Sequence, residues 1–411
     1  MKERLYLHLD MNCFYAQVEQ QCFKLHGLPI YIGGWYKGEQ GIPRGIVATS
    51  SYEARALGIK TAMSAYEAEQ ICPYVIGLQA DYEKYKGVSA LIEDVLEEFA
   101  PTVEKYSMDE YFLDINFLKD KSRDEITQFG NDLKNLIYRE IGLVCSIGIS
   151  FSKTYSKLAS DINKPDGLTL VLDKQEAEEL LWPMPLDEVW GIGRKRYEKL
   201  KSKGLMTIGD GIKRGYPVFQ ELFGKYFGKI MYEMIAGKDR AKVLTGELSP
   251  KEQLNYMHTF STQSTDPTRI SGELMKGIMR LCYRMRGYRL RARSFFCYLR
   301  IQHREHRGIN FRFTTDGYTN LDGYIHHECM RKAKPRIKGL LDAGYALRGI
   351  GIGTTKVDTS GQQELFFSED RQQRNFYLAQ DAINNQHGNG TITRASVMDS
   401  VPGKTHFLER S

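Results

Sequence analysis

Two short acidic runs hold the residues of this chain best suited to chemistry. Asp10 follows the strand-like run Leu5–Leu9, and Asp109 and Glu110 lie in the sequence Tyr-Ser-Met-Asp-Glu-Tyr. Each run places carboxylates at the end of an alternating apolar pattern, where a strand would carry them to the rim of a sheet. Carboxylates there are costly unless paired, and a divalent cation is the usual partner. Two or three converging carboxylates could hold two magnesium ions for phosphoryl transfer, whereas either run alone is more typical of surface acids.

The elements around these acids predict that they meet. Hydrophobic periodicity indicates a strand, then after an insertion a helix, two strands, a helix, a strand and a helix. The predicted ranges are 5–10, 82–99, 102–109, 110–115, 126–137, 143–149 and 152–162. This order is that of the split βαβ, ferredoxin-like arrangement. Because the first strand lies beside the hairpin of the middle strands in that topology, we expect Asp10 and Asp109 to be neighbours.

Length and composition predict a soluble protein of several domains. The 411 residues are enough for two to four domains, and 26% charged and 42% hydrophobic residues are ordinary values. No apolar run approaches the roughly 20 residues that cross a bilayer. The Met-Lys-Glu-Arg start does not resemble a signal peptide, and the seven scattered cysteines form no Cys-x-x-Cys pair. These features predict a cytoplasmic protein without a membrane partner.

The distribution of arginine indicates a nucleic-acid partner. Between residues 280 and 312, ten arginines are opposed by one acid, Glu305. Such a local excess is typical of a protein that binds phosphate backbones, although a solvated basic face is the alternative. The predicted DNA contacts in this segment are Arg289, Arg291, Arg293 and Arg300. We therefore expect a nucleoid-associated protein.

A second DNA-binding element is predicted within the helical segment 170–237. Residues Val189–Tyr197 resemble a helix-hairpin-helix, in which Gly191 and Gly193 let backbone N–H groups approach a phosphate. Arg194 and Lys195 follow the turn directly. Gly-x-Gly is common in helix turns generally, but the flanking apolar residues and these cations favour DNA binding.

Four motifs in order resemble the motif series of the Y-family, or translesion, DNA polymerases. They are Asp10–Glu19 (DMNCFYAQVE), Ala48–Arg55 (ATSSYEAR), Ser107–Glu110 (SMDE) and Asn163–Gly167 (NKPDG). Their spacing matches, and the hairpin lies where that family has its thumb. The resemblance covers about residues 1–355, and the bacterial UmuC/DinB-like branch, particularly its Gram-positive and prophage forms, is the most similar.

The resemblance implies an α+β fold with a ferredoxin-like palm, small inserted fingers, a helical helix-hairpin-helix thumb and an α/β little finger. The implied ranges are 1–15 and 78–166 for the palm, 16–77 for the fingers, 167–237 for the thumb, 238–252 for a linker, 253–355 for the little finger and 356–411 for a tail. The polar composition of the tail predicts that it is largely flexible.

The resemblance also implies the reaction. It predicts low-fidelity, template-directed translesion synthesis, in which the primer 3′-hydroxyl attacks the α-phosphate of an incoming dNTP and pyrophosphate leaves. Primer–template DNA and dNTP are the implied substrates. Two Mg²⁺ ions, for which Mn²⁺ can substitute, would be held by Asp10, the carbonyl of Met11, Asp109 and Glu110.

Three further residues are implied to bind the triphosphate. Tyr52 and Arg55 lie three apart on a predicted helix, so both project from one face. A hydroxyl donor and a guanidinium suit a triphosphate, although spacing alone fits an ordinary surface pair equally well. Lys164 would add a cation.

The resemblance assigns the selection of sugar and base to a tyrosine just before the fingers and to three residues within them. It implies that Tyr15 lies under the incoming sugar and rejects a 2′-hydroxyl, whereas a core aromatic is the commoner role of such a tyrosine. It implies that Ile46, Val47 and Ala48 form the roof over the nascent base pair.

The tail contains a short motif for a protein partner. Gln362–Phe367 reads Gln-Gln-Glu-Leu-Phe-Phe and resembles the Gln-x-x-Leu-Phe peptide that binds the bacterial sliding clamp. Gln362, Leu365 and Phe366 are the implied contacts. A recombinase filament or a small accessory protein stays open as a further partner.

Two other functions stay open at this point. A two-metal nucleotidyl cyclase shares the palm and the paired carboxylates, but it needs neither a thumb hairpin nor an arginine-rich unit. A catalytically inactive DNA-binding or scaffold member of the family would keep the fold alone, but the intact Asp10, Asp109 and Glu110 argue against it.

Overall fold

A computed structural model describes most of the chain. The described residues are 4–34, 36–37, 43–239, 241–245, 253–302, 308–358, 371–388 and 390–398. The chain divides into two compact units, Met1–Leu248 and Ser249–Ser411. Within the described ranges, no helix is both long enough and apolar enough to span a membrane.

The first unit contains ten strands and eleven α-helices among its described residues. The strands are β1 (Tyr6–Met11), β2 (Ile30–Gly33), β3 (Tyr36–Lys37), β4 (Pro43–Arg44), β5 (Val47–Ser50), β6 (Ile76–Gln79), β7 (Val103–Lys105), β8 (Glu110–Asp114), β9 (Cys145–Ser150) and β10 (Leu168–Val171). The helices are α1 (Phe14–Phe23), α2 (Tyr52–Ala56), α3 (Ala65–Ile71), α4 (Tyr82–Phe99), α5 (Arg123–Ile141), α6 (Lys153–Ile162), α7 (Lys174–Leu180), α8 (Arg194–Lys201), α9 (Ile208–Arg214), α10 (Tyr216–Phe223) and α11 (Lys225–Ile235).

A five-stranded sheet forms the palm and carries the acidic runs. Its strand order is β10-β9-β1-β8-β7, and the central strand β1 pairs antiparallel with both β8 and β9. Helices α4 and α5 pack against each other over one face, while α6 packs on β1 and β9. A Cβ atom on Gly148 of β9 would lie 2.0 Å from the carbonyl oxygen of Ser156, so glycine permits this close approach of α6. The predicted ferredoxin-like palm is confirmed.

The fingers are a small separate layer. Strands β5, β2 and β6 form a three-stranded sheet, and α2 and α3 complete a compact core around Tyr31 and Ala54. Both helices begin at a serine whose side chain accepts a backbone N–H, Ser51 for α2 and Ser64 for α3. The short α2 is thereby fixed at its first turn.

The structure differs from the predicted domain ranges in two places. Strand β10 pairs in parallel with β9, so the segment after residue 167 begins as a palm strand and the helical thumb starts only after it. The predicted linker 238–252 is not free at its start. The side chain of Asp239 accepts a hydrogen bond from Ser152, Val243 is buried, and the Leu244 N–H donates to Glu104 at 2.7 Å. The polar, lysine-bearing sequence did not predict these contacts, because they are made by one aspartate, one valine and one backbone N–H rather than by an apolar pattern.

The second unit is an α/β domain followed by a C-terminal helical segment. Its described elements are β11 (Asn255–Ser264), α12 (Pro267–Gly287), β12 (Arg291–Ile301), β13 (Gly308–Thr319), α13 (Asp322–Asp342), β14 (Leu347–Asp358), α14 (Arg371–His387) and α15 (Ala395–Met398). The sheet is antiparallel in the order β11-β14-β12-β13, and α12 and α13 pack together on it.

The expectation of a largely flexible tail is wrong for its two helices. Arg286 of α12 forms an ion pair with Asp381 of α14, and Arg394 pairs with Asp322. Tyr377 is only 4% exposed. The composition did not predict that this segment is ordered, because it packs through two ion pairs and one aromatic side chain rather than through an apolar stripe.

Candidate active site

The three predicted acidic residues lie together at one rim of the palm sheet. Asp10 on β1 is directly opposite Glu110 on β8, and the Met11 N–H donates to the carbonyl of Asp109 at 2.9 Å. The predicted meeting of the two acidic runs is therefore observed. It depends on the antiparallel register, because a shift of one residue would turn Asp10 to the opposite face.

Each of the three carboxylates has its own polar partner. Lys164 Nζ lies 2.8 Å from Asp10 Oδ2, Lys157 pairs with Glu110, and the Ser107 hydroxyl donates to Asp109. Burial raises the pKa of the Asp10 carboxyl to about 6, against the opposing effect of the Lys164 charge. The positive charges of Lys157 and Lys164 thus offset part of the negative charge of this acidic cluster.

The donor set fits a hard divalent cation in its chemistry. Carboxylates of Asp10, Asp109 and Glu110 and the Met11 carbonyl provide oxygen ligands alone, which Mg²⁺ prefers. Within the described ranges, no three His, Cys, Asp or Glu side chains converge as a metal would require. The three carboxylates contact Lys164, Ser107 and Lys157 instead, and these contacts would have to open before the acids could share an ion.

Lys157 and Asp161 are two site residues that the sequence interpretation missed. Both lie on α6, and Asp161 Oδ1 is 2.6 Å from the same Lys164 Nζ that contacts Asp10. Their spacing of four along a helix that follows a palm strand places them on one face, and this signal was present in the sequence.

Tyr15 lies beside the acid-bearing turn. Its ring stacks on Tyr85 with centroids 4.3 Å apart and an interplanar angle of 16°, and it meets Tyr82 edge-on at 5.9 Å. Its hydroxyl is 4.0 Å from the sulfur of Met108. Burial and the nearby charge of Asp109 raise the pKa of Tyr15. The ring is half-buried, so one part packs in the palm while the other borders the site.

Tyr52 and Arg55 project together from α2, as their spacing predicted. The Arg55 guanidinium lies 5.0 Å from the centroid of the Tyr52 ring and donates to the Ser50 carbonyl at 3.0 Å. Burial raises the pKa of Tyr52, and the charges of Lys164 and Asp10 act on the same hydroxyl. The pair therefore borders the acidic cluster.

The three predicted roof residues do not share one exposed face. Val47 is fully buried in the core of the fingers, whereas Ile46 is 55% exposed and Ala48 is half-buried. Successive side chains of a strand point to opposite faces, so Val47 cannot share a surface with its two neighbours.

The thumb hairpin presents backbone donors and cations. Val189 and Ile192 are buried, while Gly191 (φ +86°) turns the chain and Gly193 precedes α8 without providing a side-chain cap. The N–H groups at the start of α8 are then suited to an anion. The following cations, Arg194 and Lys195, are exposed, and Arg194 pairs with Glu198 at 3.0 Å.

The arginines of the second unit do not form a single surface. Arg286 is buried in its ion pair with Asp381, so it is not a phosphate contact. Arg293 and Arg300 are exposed on β12, Arg291 is half-buried there, and Arg289 is exposed in a left-handed turn (φ 54°). The clamp-like peptide 362–367 lies outside the described residues.

Comparison with known proteins assigns the family. The impB/mucB/samB family signature matches residues 9–161, and the helix-hairpin-helix signature of the same family matches residues 174–205. A DNA polymerase IV of Bacillus velezensis is 30% identical across 98% of this chain and 95% of its own length. The chain belongs to the Y-family DNA polymerases.

Two further proteins support this family assignment. A DNA polymerase IV of Streptococcus pyogenes is 35% identical over 68% of this chain and 75% of its own length. A solved Y-family polymerase chimera shares the fold, with a TM-score of 0.68 at 20% identity over 85% of this chain and 98% of that one. The DNA polymerase IV relatives confirm the prediction of a DNA-directed translesion polymerase. They also confirm that it depends on a divalent metal and that its substrates are primer–template DNA and dNTP. The cyclase alternative does not fit this family.

Proposed function

We propose that this chain extends a primer across damaged template bases, with Asp10, Asp109 and Glu110 as the catalytic acids and Mg²⁺ as the metal. The observation that carries the proposal is the register that sets Asp10 opposite Glu110, with Asp109 beside them. When bound, the two ions would activate the attacking hydroxyl and stabilise the leaving oxygen.

The residues around the acids would bind and orient the nucleotide. Tyr52, Arg55 and Lys164 supply a hydroxyl and two cations from different elements on one side of the cluster. Their contact with a triphosphate would hold the α-phosphate in line with the primer hydroxyl, which is the main protein contribution to this chemistry. Lys164 would exchange its contact with Asp10 for one with the triphosphate.

Selection of the nucleotide is proposed for two surfaces. The half-buried ring of Tyr15, held by Tyr85, is suited to contact the sugar and exclude a 2′-hydroxyl. Ile46, directly before β5, and Ala48, on β5, would cover the nascent base pair. The small fingers offer little surface for checking that pair, so low fidelity is expected.

DNA and protein partners complete the proposal. In the first unit, the duplex backbone would be bound by the hairpin residues Gly191, Gly193, Arg194 and Lys195. In the second unit, it would be bound by the cations Arg289, Arg291, Arg293 and Arg300. Gln362, Leu365 and Phe366 would bind a sliding clamp. Nucleoid association would follow from DNA binding, and a recombinase filament or accessory protein stays a prediction.

Primer extension on undamaged and damaged templates tests the function. The wild-type chain should extend primers with Mg²⁺, and Asp10→Asn and Asp109→Asn should lose extension while still binding primer–template DNA. Asp132→Asn, which changes an acid of α5 away from the site, is the matched control and should behave as wild type. DNA binding without any extension by the wild-type chain would instead identify a catalytically inactive member of the family.

A further inference from the structure

Trp190 links the thumb hairpin to the palm. It directly precedes Gly191 of the hairpin turn, yet its ring packs against two palm side chains. Its centroid is 5.0 Å from that of Tyr106, at an interplanar angle of 65°, and 6.2 Å from that of Phe112, at 25°. By contrast, the neighbouring Val189 and Ile192 are buried in the core of the thumb itself.

Tyr106 and Phe112 lie on the two sides of the acid-bearing turn. The N–H groups of Tyr106 and Ser107 donate to the Glu110 carbonyl at 3.0 and 3.1 Å, and Phe112 lies two residues beyond Glu110 on β8. The Tyr106 ring is also 5.7 Å from Lys157 Nζ, which pairs with the Glu110 carboxylate. The partners of Trp190 are therefore one contact away from the catalytic acids.

This aromatic cluster is tightly packed. Phe112 is fully buried with Tyr6 and Val243, and Lys153 Nζ lies 4.5 Å from the centroid of the Phe112 ring. Lys153 is held in turn by a buried ion pair with Glu104 at 2.7 Å. Because packed interiors transmit displacements rather than absorbing them, a shift of the hairpin would reach the turn that carries Asp109 and Glu110.

We propose that Trp190 is a positioning residue that holds the DNA-binding hairpin at a set distance from the catalytic acids. The inference rests on the proposed function, in which the hairpin holds the duplex and the acids act at the primer terminus. Contacts between the two elements must then place the primer hydroxyl, and the Trp190 cluster is a contact that joins the hairpin to the acid-bearing turn. A misplacement of the reacting groups by about 1 Å can reduce the rate of catalysis on the order of 100-fold. Loss of the Trp190 contact should therefore lower the incorporation rate more than the affinity for DNA.

Single-turnover incorporation and DNA binding of Trp190 variants test the inference. Trp190→Ala should reduce the incorporation rate by about 10-fold or more while the Kd for primer–template changes by less than about 3-fold, and Trp190→Phe should recover most of the rate. Trp182→Ala changes a thumb tryptophan that packs in the thumb and not on Tyr106 or Phe112, so it should leave the rate near wild type. Tyr106→Ala should reproduce the defect, and the double variant should be no worse than either single variant.

Amide hydrogen exchange gives a readout that does not depend on activity. Trp190→Ala should speed exchange of the Tyr106 and Ser107 N–H groups, whereas Trp182→Ala should not. Unchanged exchange there, equal losses of rate and DNA affinity, or additive effects of Trp190→Ala and Tyr106→Ala would each overturn the inference. A wild-type chain that extends no primer would overturn the proposed function instead.

Discussion

Lys164 Nζ contacts the carboxylate of Asp10 at 2.8 Å, so the cation proposed for the triphosphate also neutralises a proposed metal ligand. The same Nζ is 2.6 Å from Asp161. Because a metal ion and a lysine compete for one carboxylate, the lysine would move to the triphosphate as the metal arrives, and Asp161 would keep it near.

Lys164→Met should therefore have opposite effects on the two ligands. We expect Mn²⁺ to bind the protein without dNTP about 3- to 10-fold more tightly, because the competing charge is gone. The KM for dNTP should rise, because a phosphate contact is lost. Electron paramagnetic resonance measures free Mn²⁺, and steady-state extension measures KM.

Lys134→Met is the control for that experiment, since Lys134 pairs with Asp166 rather than with the acids. It should change neither quantity. Weaker Mn²⁺ binding by Lys164→Met would show that the lysine organises the metal site rather than competing for it.

Tyr15→Ala should raise ribonucleotide incorporation. Removal of the ring opens space for a 2′-hydroxyl, and the ratio of kcat/KM for ribonucleotide to that for deoxynucleotide should increase by roughly 10-fold or more. Tyr74→Ala, at a 69% exposed tyrosine of the fingers, is the matched control. An unchanged ratio in a folded Tyr15→Ala protein would leave Tyr15 as a core aromatic.

The buried ion pair between Lys153 and Glu104 should matter for stability. Lys153→Met leaves the Glu104 carboxylate buried and unpaired by lysine, which typically costs about 3–5 kcal/mol. Lys121→Met breaks an exposed pair with Glu125 and should cost less than about 1 kcal/mol. Urea denaturation followed by circular dichroism compares the two, and similar midpoints would contradict the expected role of burial.

Loss of the Arg286–Asp381 pair should release the C-terminal helix α14. Arg286→Met should make residues 371–398 more sensitive to limited proteolysis while the α/β domain of the second unit stays protected. Arg284→Met, two residues away on the exposed side of α12, should not. Equal protection of the tail in both variants would mean that Tyr377 and Arg394 suffice to hold it.

Simultaneous replacement of Gln362, Leu365 and Phe366 by Ala should abolish stimulation of extension by the sliding clamp. Activity without the clamp should stay at the wild-type level, because the motif lies outside the catalytic unit. Gln372→Ala with Gln373→Ala in α14 is a polar control in the same tail. Clamp stimulation that survives the triple change would refute the assignment.

Features that repeat within one element could be predicted from the sequence. The periodicity of α4 predicted 82–99, the range that the structure shows, because an amphipathic helix records its buried face in its own residues. The meeting of Asp10 and Asp109 followed from the order of such elements, since the ferredoxin-like topology places their strands side by side. Tyr52 and Arg55 shared a face because three residues make nearly one helical turn.

Three other contacts between distant elements were decided by the tertiary structure alone. Lys157 pairs with Glu110, Arg286 is drawn away from the solvent by Asp381, and Trp190 packs on Tyr106. The hydrophobic pattern of an element indicates which of its faces is apolar. It does not indicate which charged or aromatic side chain of another element contacts that face. That choice depends on how whole layers pack, and for this chain it determines the partners of the three acids that we propose to be catalytic.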